Sequence, residues 1–99
     1  MIARHWHGLA KKQHAEAYVE HLRNETFPAL GAIPGFLGAS ILRRAAPQGV
    51  DFLIITQWTS LEAIQAFAGE DAESAVVPPK VQAMMLGYED RVRHYEVLA

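Results

Sequence analysis

The spacing of hydrophobic residues near the amino terminus changes from a period of two to a helical period. Residues 2–8 alternate between two sets, which are Ile2, Arg4 and Trp6 on one side and Ala3, His5 and His7 on the other. This alternation predicts a β-strand. From about residue 11 to residue 26 the spacing fits one face of a helix, formed by Ala15, Tyr18, Val19, Leu22 and Thr26. Pro28 disfavours helical backbone at Phe27, so we expect this helix to end there.

A turn and a hairpin are predicted after the first helix. Ile33-Pro34-Gly35-Phe36 places Pro and then Gly at the central positions of a type II turn, where Gly supplies the positive φ. A strand from Phe36 to Arg44 should follow. Pro47-Gln48-Gly49 then turns the chain into a second strand, from Val50 to Trp58.

The last third of the chain contains a clear helix followed by a less regular segment. Thr59 and Glu62 have the spacing of a capping box, and a helical period then continues to Gly69 through Leu61, Ile64, Phe67 and Ala68. Pro78-Pro79 divides residues 70–87 into two short helical pieces, of which the second carries Val81, Met84 and Met85. Residues 88–98 are predicted to form the last strand.

The order strand, helix, strand, strand, helix, strand is that of a ferredoxin-like α+β fold, βαββαβ, in one domain over residues 1–99. We expect a four-stranded antiparallel sheet in the order 4-1-3-2, with helices on one face. The other face should then be polar, but Phe52-Leu53-Ile54-Ile55 is apolar at every position. This predicts a homodimer joined through the sheet faces; the alternative is a monomer with exposed hydrophobic side chains.

Charge and composition argue against several classes of partner. Nine Lys and Arg against eleven Asp and Glu give a net charge of -2, and the basic residues are scattered, so neither nucleic acid nor an anionic membrane is an expected partner. Thiol chemistry is excluded because there is no cysteine. Because we find no apolar run of membrane-spanning length and no signal-peptide pattern, we expect a soluble, cytoplasmic protein.

Three motifs in sequence order resemble the antibiotic biosynthesis monooxygenase (ABM) family. They are Ile33-Pro34-Gly35-Phe36-Leu37-Gly38, the junction Trp58-Thr59-Ser60-Leu61-Glu62-Ala63, and the closing His94-Tyr95-Glu96-Val97. The resemblance implies a dimeric α/β barrel in which each subunit has a pocket between its sheet and its helices. It also implies activities that include cofactor-independent oxidation of aromatic phenols to quinones and the degradation of haem.

The haem-degrading branch of the family is matched only in part. It uses a Trp equivalent to Trp58, an Asn in the first strand and a later His. Here the first strand has no Asn, and no His occurs near Ala68 or in residues 70–75. We therefore expect a monooxygenase without a bound cofactor, acting on a small hydroxylated aromatic or quinone-like molecule.

Oxidising a phenol without a cofactor requires a base, donors for the phenolate, and an apolar cavity. His7 and His94 are candidate catalytic bases, since histidine exchanges protons near neutral pH. Trp58 is a candidate catalytic residue that would form a flat wall against the ring. Arg93 or Tyr95 could hydrogen-bond the developing oxyanion. His94 and Tyr95 point to opposite faces of a regular strand, so only one of them can line the pocket.

His5 and His7 also raise the question of a metal. They share one strand face about 6.6 Å apart, a spacing that can hold one ion. His94, on the predicted neighbouring strand, could join them only in the right register. No carboxylate lies nearby in sequence, so we predict no metal and take His5 as a candidate substrate-binding residue, together with Arg93 and Tyr95.

Each candidate has a structural alternative. Trp58 is also compatible with a large core residue, and His14, Tyr18 and His21 with the edge of the buried stripe of the first helix. The rival function is a non-catalytic dimer whose pocket binds a small hydrophobic ligand in a regulatory or stress role, and the third alternative is a haem-binding or haem-degrading monooxygenase.

Overall fold

Five antiparallel strands with helices on one side form an α+β ferredoxin-like fold, described for residues 1–99 by a computed structural model. A 3₁₀ turn at Lys12–His14 precedes the first α-helix, and a π-helical turn at Leu22–Thr26 follows it. The strands and α-helices are β1 Ile2–Ala10, α1 Ala15–His21, α2 Phe27–Gly31, β2 Phe36–Ala45, β3 Val50–Trp58, α3 Leu61–Ala68, α4 Pro79–Gln82, β4 Met85–Tyr88 and β5 Arg93–Glu96. None of these helices is long and apolar enough to cross a membrane.

Strand β1 lies inside the sheet, and its register fixes which side chains share a face. One edge of β1 pairs with β3, and the other edge pairs with β4 and then β5. The sheet order β2-β3-β1-β4, with β5 also on β1, confirms that the first and last strands are neighbours. Strand β3 has the predicted bounds.

The last strand is divided, contrary to the prediction of one strand over residues 88–98. Strands β4 and β5 are separated because the intervening backbone pairs elsewhere: Ala75 N–H donates to Asp90 O at 2.8 Å, and Val92 N–H donates to Glu73 O at 2.8 Å. The sheet therefore has five strands. Met85, predicted to be helical, begins β4.

The first helical run continues beyond Pro28, so the predicted stop there is wrong. The run changes from α1 to the π-helical turn and then to α2, in which Pro28 occupies the first turn. A proline in a first helical turn costs little, because its missing N–H would have no helical partner there.

Two of the predicted local signals hold, and one shifts by a residue. Gly35 has φ 97°, and Phe36 N–H donates to Ile33 O at 3.2 Å, which closes the predicted turn. Helix α3 ends at Gly69 as expected. Its N-cap is Ser60 and not Thr59, since the Ser60 hydroxyl accepts from Ala63 N–H at 3.2 Å.

The two faces of the sheet differ in burial. On β3, the helix-facing residues Phe52, Ile54, Thr56 and Trp58 are buried, whereas the outward Leu53, Ile55 and Gln57 are only half-buried. The core lies between the sheet and the helices, with Tyr18, Val19 and Leu22 of the first helical run packed against the strands. The outer face carries apolar side chains that no helix covers.

Candidate functional site

A cavity of about 340 Å³ lies between the helix-facing side of the sheet and the helices. Its walls come from β1, β3, the first helical run and residues 76–81. Thirteen of its nineteen lining residues are hydrophobic, so any polar group on the wall acts in a poorly hydrated space. The polar and ionisable lining residues are Arg4, Tyr18, His21, Glu25, Thr26 and Thr56.

Arg4 is a buried cation on the cavity wall. The β1 register places it opposite Thr56, on the helix-facing side, and it is 5% exposed. It donates through Nη1 to Ala72 O and through Nη2 to Ser74 O at 2.8 Å, and its guanidinium lies 5.6 Å from the centre of the Phe67 ring. It makes no salt bridge. Burial without a carboxylate lowers the pKa of Arg4 to about 10.

His94 is hydrogen-bonded to Arg4. The two residues are directly opposite each other in the β1–β5 pair, and His94 Nε2 lies 3.0 Å from Arg4 Nη1. A guanidinium can only donate, so His94 Nε2 accepts and the ring is neutral with its proton on Nδ1. Burial, and then the charge of Arg4, lower the pKa of His94. This predicted base is on the helix side of the sheet but does not line the cavity, and its acceptor is already occupied.

His21 is the histidine that lines the cavity. It is 9% exposed, and its Nδ1 lies 3.2 Å from Glu25 Oε2 one helical turn later. Its ring's only hydrogen bond within the chain is through Nδ1, and since no buried side-chain nitrogen lacks a partner, Nε2 is accessible from the cavity. With Nδ1–H donated to the Glu25 carboxylate, Nε2 carries the lone pair and can accept a proton from a ligand.

Glu25 stands at the outer margin of the cavity, with its side chain 56% exposed. It also accepts from Lys80 Nζ at 2.8 Å, which connects the π-helical turn to α4. The hydrogen bond from Lys80, followed by that from His21, lowers the pKa of Glu25. Glu25 therefore stays ionised and can hold the His21 ring in one orientation.

Tyr18 supplies a buried hydroxyl. It is 3% exposed, lines the cavity, and packs edge-to-face on Phe52 with ring centres 4.9 Å apart. No side chain or backbone group of the chain bonds its hydroxyl, and since no buried side-chain oxygen lacks a partner, the hydroxyl oxygen is accessible from the cavity. Burial raises the pKa of Tyr18, so the hydroxyl remains protonated and can donate to a ligand.

Trp58, predicted to be a wall of the pocket, does not line it. It is fully buried, donates from Nε1 to Thr56 Oγ1 at 2.9 Å, and stacks on Phe67 with ring centres 6.0 Å apart. The tryptophan that does line the cavity is Trp6, which donates from Nε1 to Glu89 O at 3.0 Å. These contacts place Trp58 in the core behind the cavity.

The other predicted site residues lie on the outer face of the sheet. The register confirms that His5 and His7 share one face, opposite Ile55 and Leu53. His7 Nδ1 is 3.1 Å from Glu89 Oε1, and the His5 and Tyr95 rings are 4.8 Å apart. Arg93 is paired with His5 in the register. None of these four predicted residues contacts the cavity, and no group of three or more potential metal ligands occurs.

Sequence reasoning therefore missed the ionisable residues of the cavity. It interpreted Tyr18 and His21 as the edge of a helix stripe and assigned no role to Arg4 or Glu25. Two signals were available: His21 and Glu25 have the i, i+4 spacing of facing helical side chains, and Arg4 shares its strand face with Trp6.

The chain is a ferredoxin-like α+β protein with an apolar cavity between its sheet and its helices. The model of the family "Antibiotic biosynthesis monooxygenase" matches residues 1–78. The chain therefore belongs to the ABM family, as its motifs indicated.

Solved structures with this fold include MhuD, a haem degrader from Mycobacterium tuberculosis solved with two haems in its active site. It is 21% identical, with a TM-score of 0.61, and the match covers 100% of this chain and 97% of that one. A putative antibiotic biosynthesis monooxygenase from Bacillus cereus is 16% identical, with a TM-score of 0.65 and coverage of 99% and 91%. At these identities the likeness establishes the fold alone. The comparison with curated proteins found no match.

Proposed function

We propose that this protein is a cofactor-independent monooxygenase that oxidises a small hydroxylated aromatic or quinone-like molecule in the cavity. The observation that carries the proposal is His21: it lines an apolar cavity, Glu25 holds its Nδ1, and its Nε2 is free. A base oriented by a carboxylate is the arrangement that activates a hydroxyl group. Membership of the ABM family supports the reaction class.

The proposed reaction converts a phenol and O₂ to a quinone and water. One oxygen atom becomes the new carbonyl, and the other leaves as water with the hydroxyl hydrogen and one ring hydrogen. His21 Nε2 takes the phenolic proton, which makes the ring electron-rich enough to react with O₂. The Tyr18 hydroxyl donates to the phenolate oxygen, and the charge of Arg4 favours the anion. The apolar walls limit competing water.

A haem fits this cavity poorly. At about 340 Å³ the cavity is near the lower end of the usual range for small-molecule sites, roughly 300–1,000 Å³. A porphyrin is much larger than the two or three fused rings that such a space suits. His21 could offer Nε2 to an iron, but the volume of the cavity favours a smaller, flat ligand. We expect a haem titration followed at the Soret band to show no shift.

The outer face of the sheet is proposed to pair with a second copy of the chain. Leu42 is exposed there, Leu53 and Ile55 are half-buried, and Tyr95 is exposed. Together with the histidine pair they form a mixed apolar surface that no element of the subunit covers. Pairing two such faces would bury these side chains and give the barrel that the family resemblance implies.

Oxygen uptake with a panel of polycyclic phenols tests the proposed reaction. For a turned-over phenol, His21→Gln should lower kcat by about 10²-fold to 10⁴-fold, the usual contribution of a general base. His14→Gln is the matched control, because His14 is half-buried in the 3₁₀ turn just before α1 but does not line the cavity. A loss with His7→Ala that matches or exceeds the loss with His21→Gln would move the site to the outer face and refute this assignment.

A further inference from the structure

Arg4 has hydrogen-bonding capacity that the chain does not use. A guanidinium carries five N–H donors. Three are engaged, by Ala72 O, Ser74 O and His94 Nε2. The N–H of Nε and one N–H of Nη2 have no partner in the chain, on a residue that is 5% exposed and lines the cavity. These two donors are on neighbouring nitrogens of the fork, which is the arrangement that a carboxylate accepts bidentately.

The charge of Arg4 is also unbalanced. The acids on the nearby segment, Asp71 and Glu73, are exposed and bond to Arg91 at 2.9 Å and 3.4 Å. The one acid on the cavity wall, Glu25, is paired with Lys80. His94 is neutral because it accepts from Arg4. The inner cavity therefore holds one uncompensated positive charge, and an uncompensated buried charge is costly until an anion joins it.

We propose that Arg4 binds a carboxylate of the ligand, so that the substrate class is hydroxylated aromatic carboxylic acids. The assignment of the hydroxyl end to His21 rests on the proposed function, whereas the carboxylate end rests on Arg4 alone. A monoanion matches the single free charge, and a flat ring system matches the apolar walls between β1 and the first helical run. Arg4 is then a specificity-determining residue on the sheet side of the cavity.

Calorimetric titration of the wild-type protein with two matched probes tests this proposal. The probes are 1-hydroxy-2-naphthoate and its neutral analogue 1-hydroxy-2-naphthamide, which share the ring and the hydroxyl group. We expect the acid to bind about 10-fold to 100-fold more tightly, as a charge-assisted bidentate contact in a dry site should give. Equal binding of the two probes would overturn the proposal, and so would no binding of the acid at about 1 mM.

Variants of Arg4 test whether this residue is the source of the preference for the acid over the amide. In Arg4→Gln the acid and the amide should bind equally, and Arg4→Lys should keep only part of the preference, because lysine retains the charge but loses the fork. Arg23→Gln is the matched control, since Arg23 is exposed on the first helical run. Arg4→Gln also removes bonds to residues 72–74, so circular dichroism must first show that it folds. If Arg4→Gln does not fold, the titration of the wild-type protein with the two probes still decides the proposal.

The two proposals fail separately. Tight binding of the acid with no oxygen uptake on any phenol would refute the monooxygenase and leave the carboxylate site in place. Oxygen uptake with neutral phenols, without any preference for the acid, would refute the carboxylate site and leave the monooxygenase in place.

Discussion

Replacing Trp58 by Phe is expected to reduce stability and to leave ligand binding in the cavity unchanged. Trp58 is fully buried, and its ring lies between Phe36, 5.2 Å away and edge-on, and Phe67, 6.0 Å away and stacked. Phenylalanine keeps an aromatic ring in this layer. It loses the Nε1–H bond to Thr56 Oγ1 and leaves part of the space unfilled.

The magnitude follows from these two losses. A hydrogen bond contributes about 1 kcal/mol net. Unfilled space costs about 1 kcal/mol for every 40 Å³ or so, when relaxation is incomplete. Together they give about 2 kcal/mol, which for a chain of this size corresponds to a fall in Tm of roughly 8–16 °C.

Urea unfolding followed by circular dichroism measures the stability, at one fixed protein concentration because the stability of the proposed homodimer would depend on it. Titration with 1-hydroxy-2-naphthoate measures ligand binding in the cavity. Phe52→Leu is the comparison variant, since Phe52 is equally buried and packs on Tyr18, the residue proposed to donate to the ligand. A Trp58→Phe protein of wild-type stability that had lost binding or oxygen uptake would refute the placement of Trp58 in the core.

Three further predictions concern the turn at Gly35, the half-buried His94 and the outer face of the sheet. Gly35→Ala should cost about 1–3 kcal/mol in urea unfolding, because φ is 97° and a Cβ there would lie 2.6 Å from Ala63 Cβ. The pKa of His94 is lowered in the folded protein, so the unfolded chain binds the proton first as pH falls. The free energy of unfolding should therefore decrease below about pH 6.5. His94→Gln should reduce this decrease, as measured by urea unfolding at about pH 7.5 and at about pH 5.5. Ile55→Lys should convert the proposed homodimer to a monomer in light scattering, whereas a wild-type monomer at micromolar concentration would refute the pairing of outer faces.

The strands were predictable because alternation is a local property of the chain. Strand β3 has the expected bounds since its turn signals, Pro47-Gln48-Gly49 before it and Thr59 after it, sit directly at its ends. The interruption between β4 and β5 was not predictable in the same way. It depends on backbone hydrogen bonds between residues 90–92 and residues 73–75, about seventeen positions away, and no local pattern encodes that pairing.

Pro28 shows how a correct local rule can lead to a wrong boundary. The bias against helix at the residue before proline is real, but the π-helical turn over Leu22–Thr26 changes the hydrogen-bond register just ahead of it. Pro28 then falls in a new first turn, where its missing N–H is tolerated, and the helical run reaches Gly31. This extension brings Leu30 into the core, where it is buried in one cluster with Trp58 and Ile64.

The two faces of β1 explain why the most conspicuous residues of the sequence are not in the cavity. Alternation assigned Arg4 and Trp6 to one side and His5 and His7 to the other, but it could not say which side the helices cover. The helices cover the Arg4 side. The charge there has no carboxylate partner, and the first helical run brings His21 to the same cavity. On the outer side, His7 Nδ1 already has a hydrogen-bonding partner within the subunit, Glu89 Oε1 at 3.1 Å. A buried cation without a carboxylate is costly until an anion joins it, and on this ground the proposed chemistry is assigned to the cavity side of the strand.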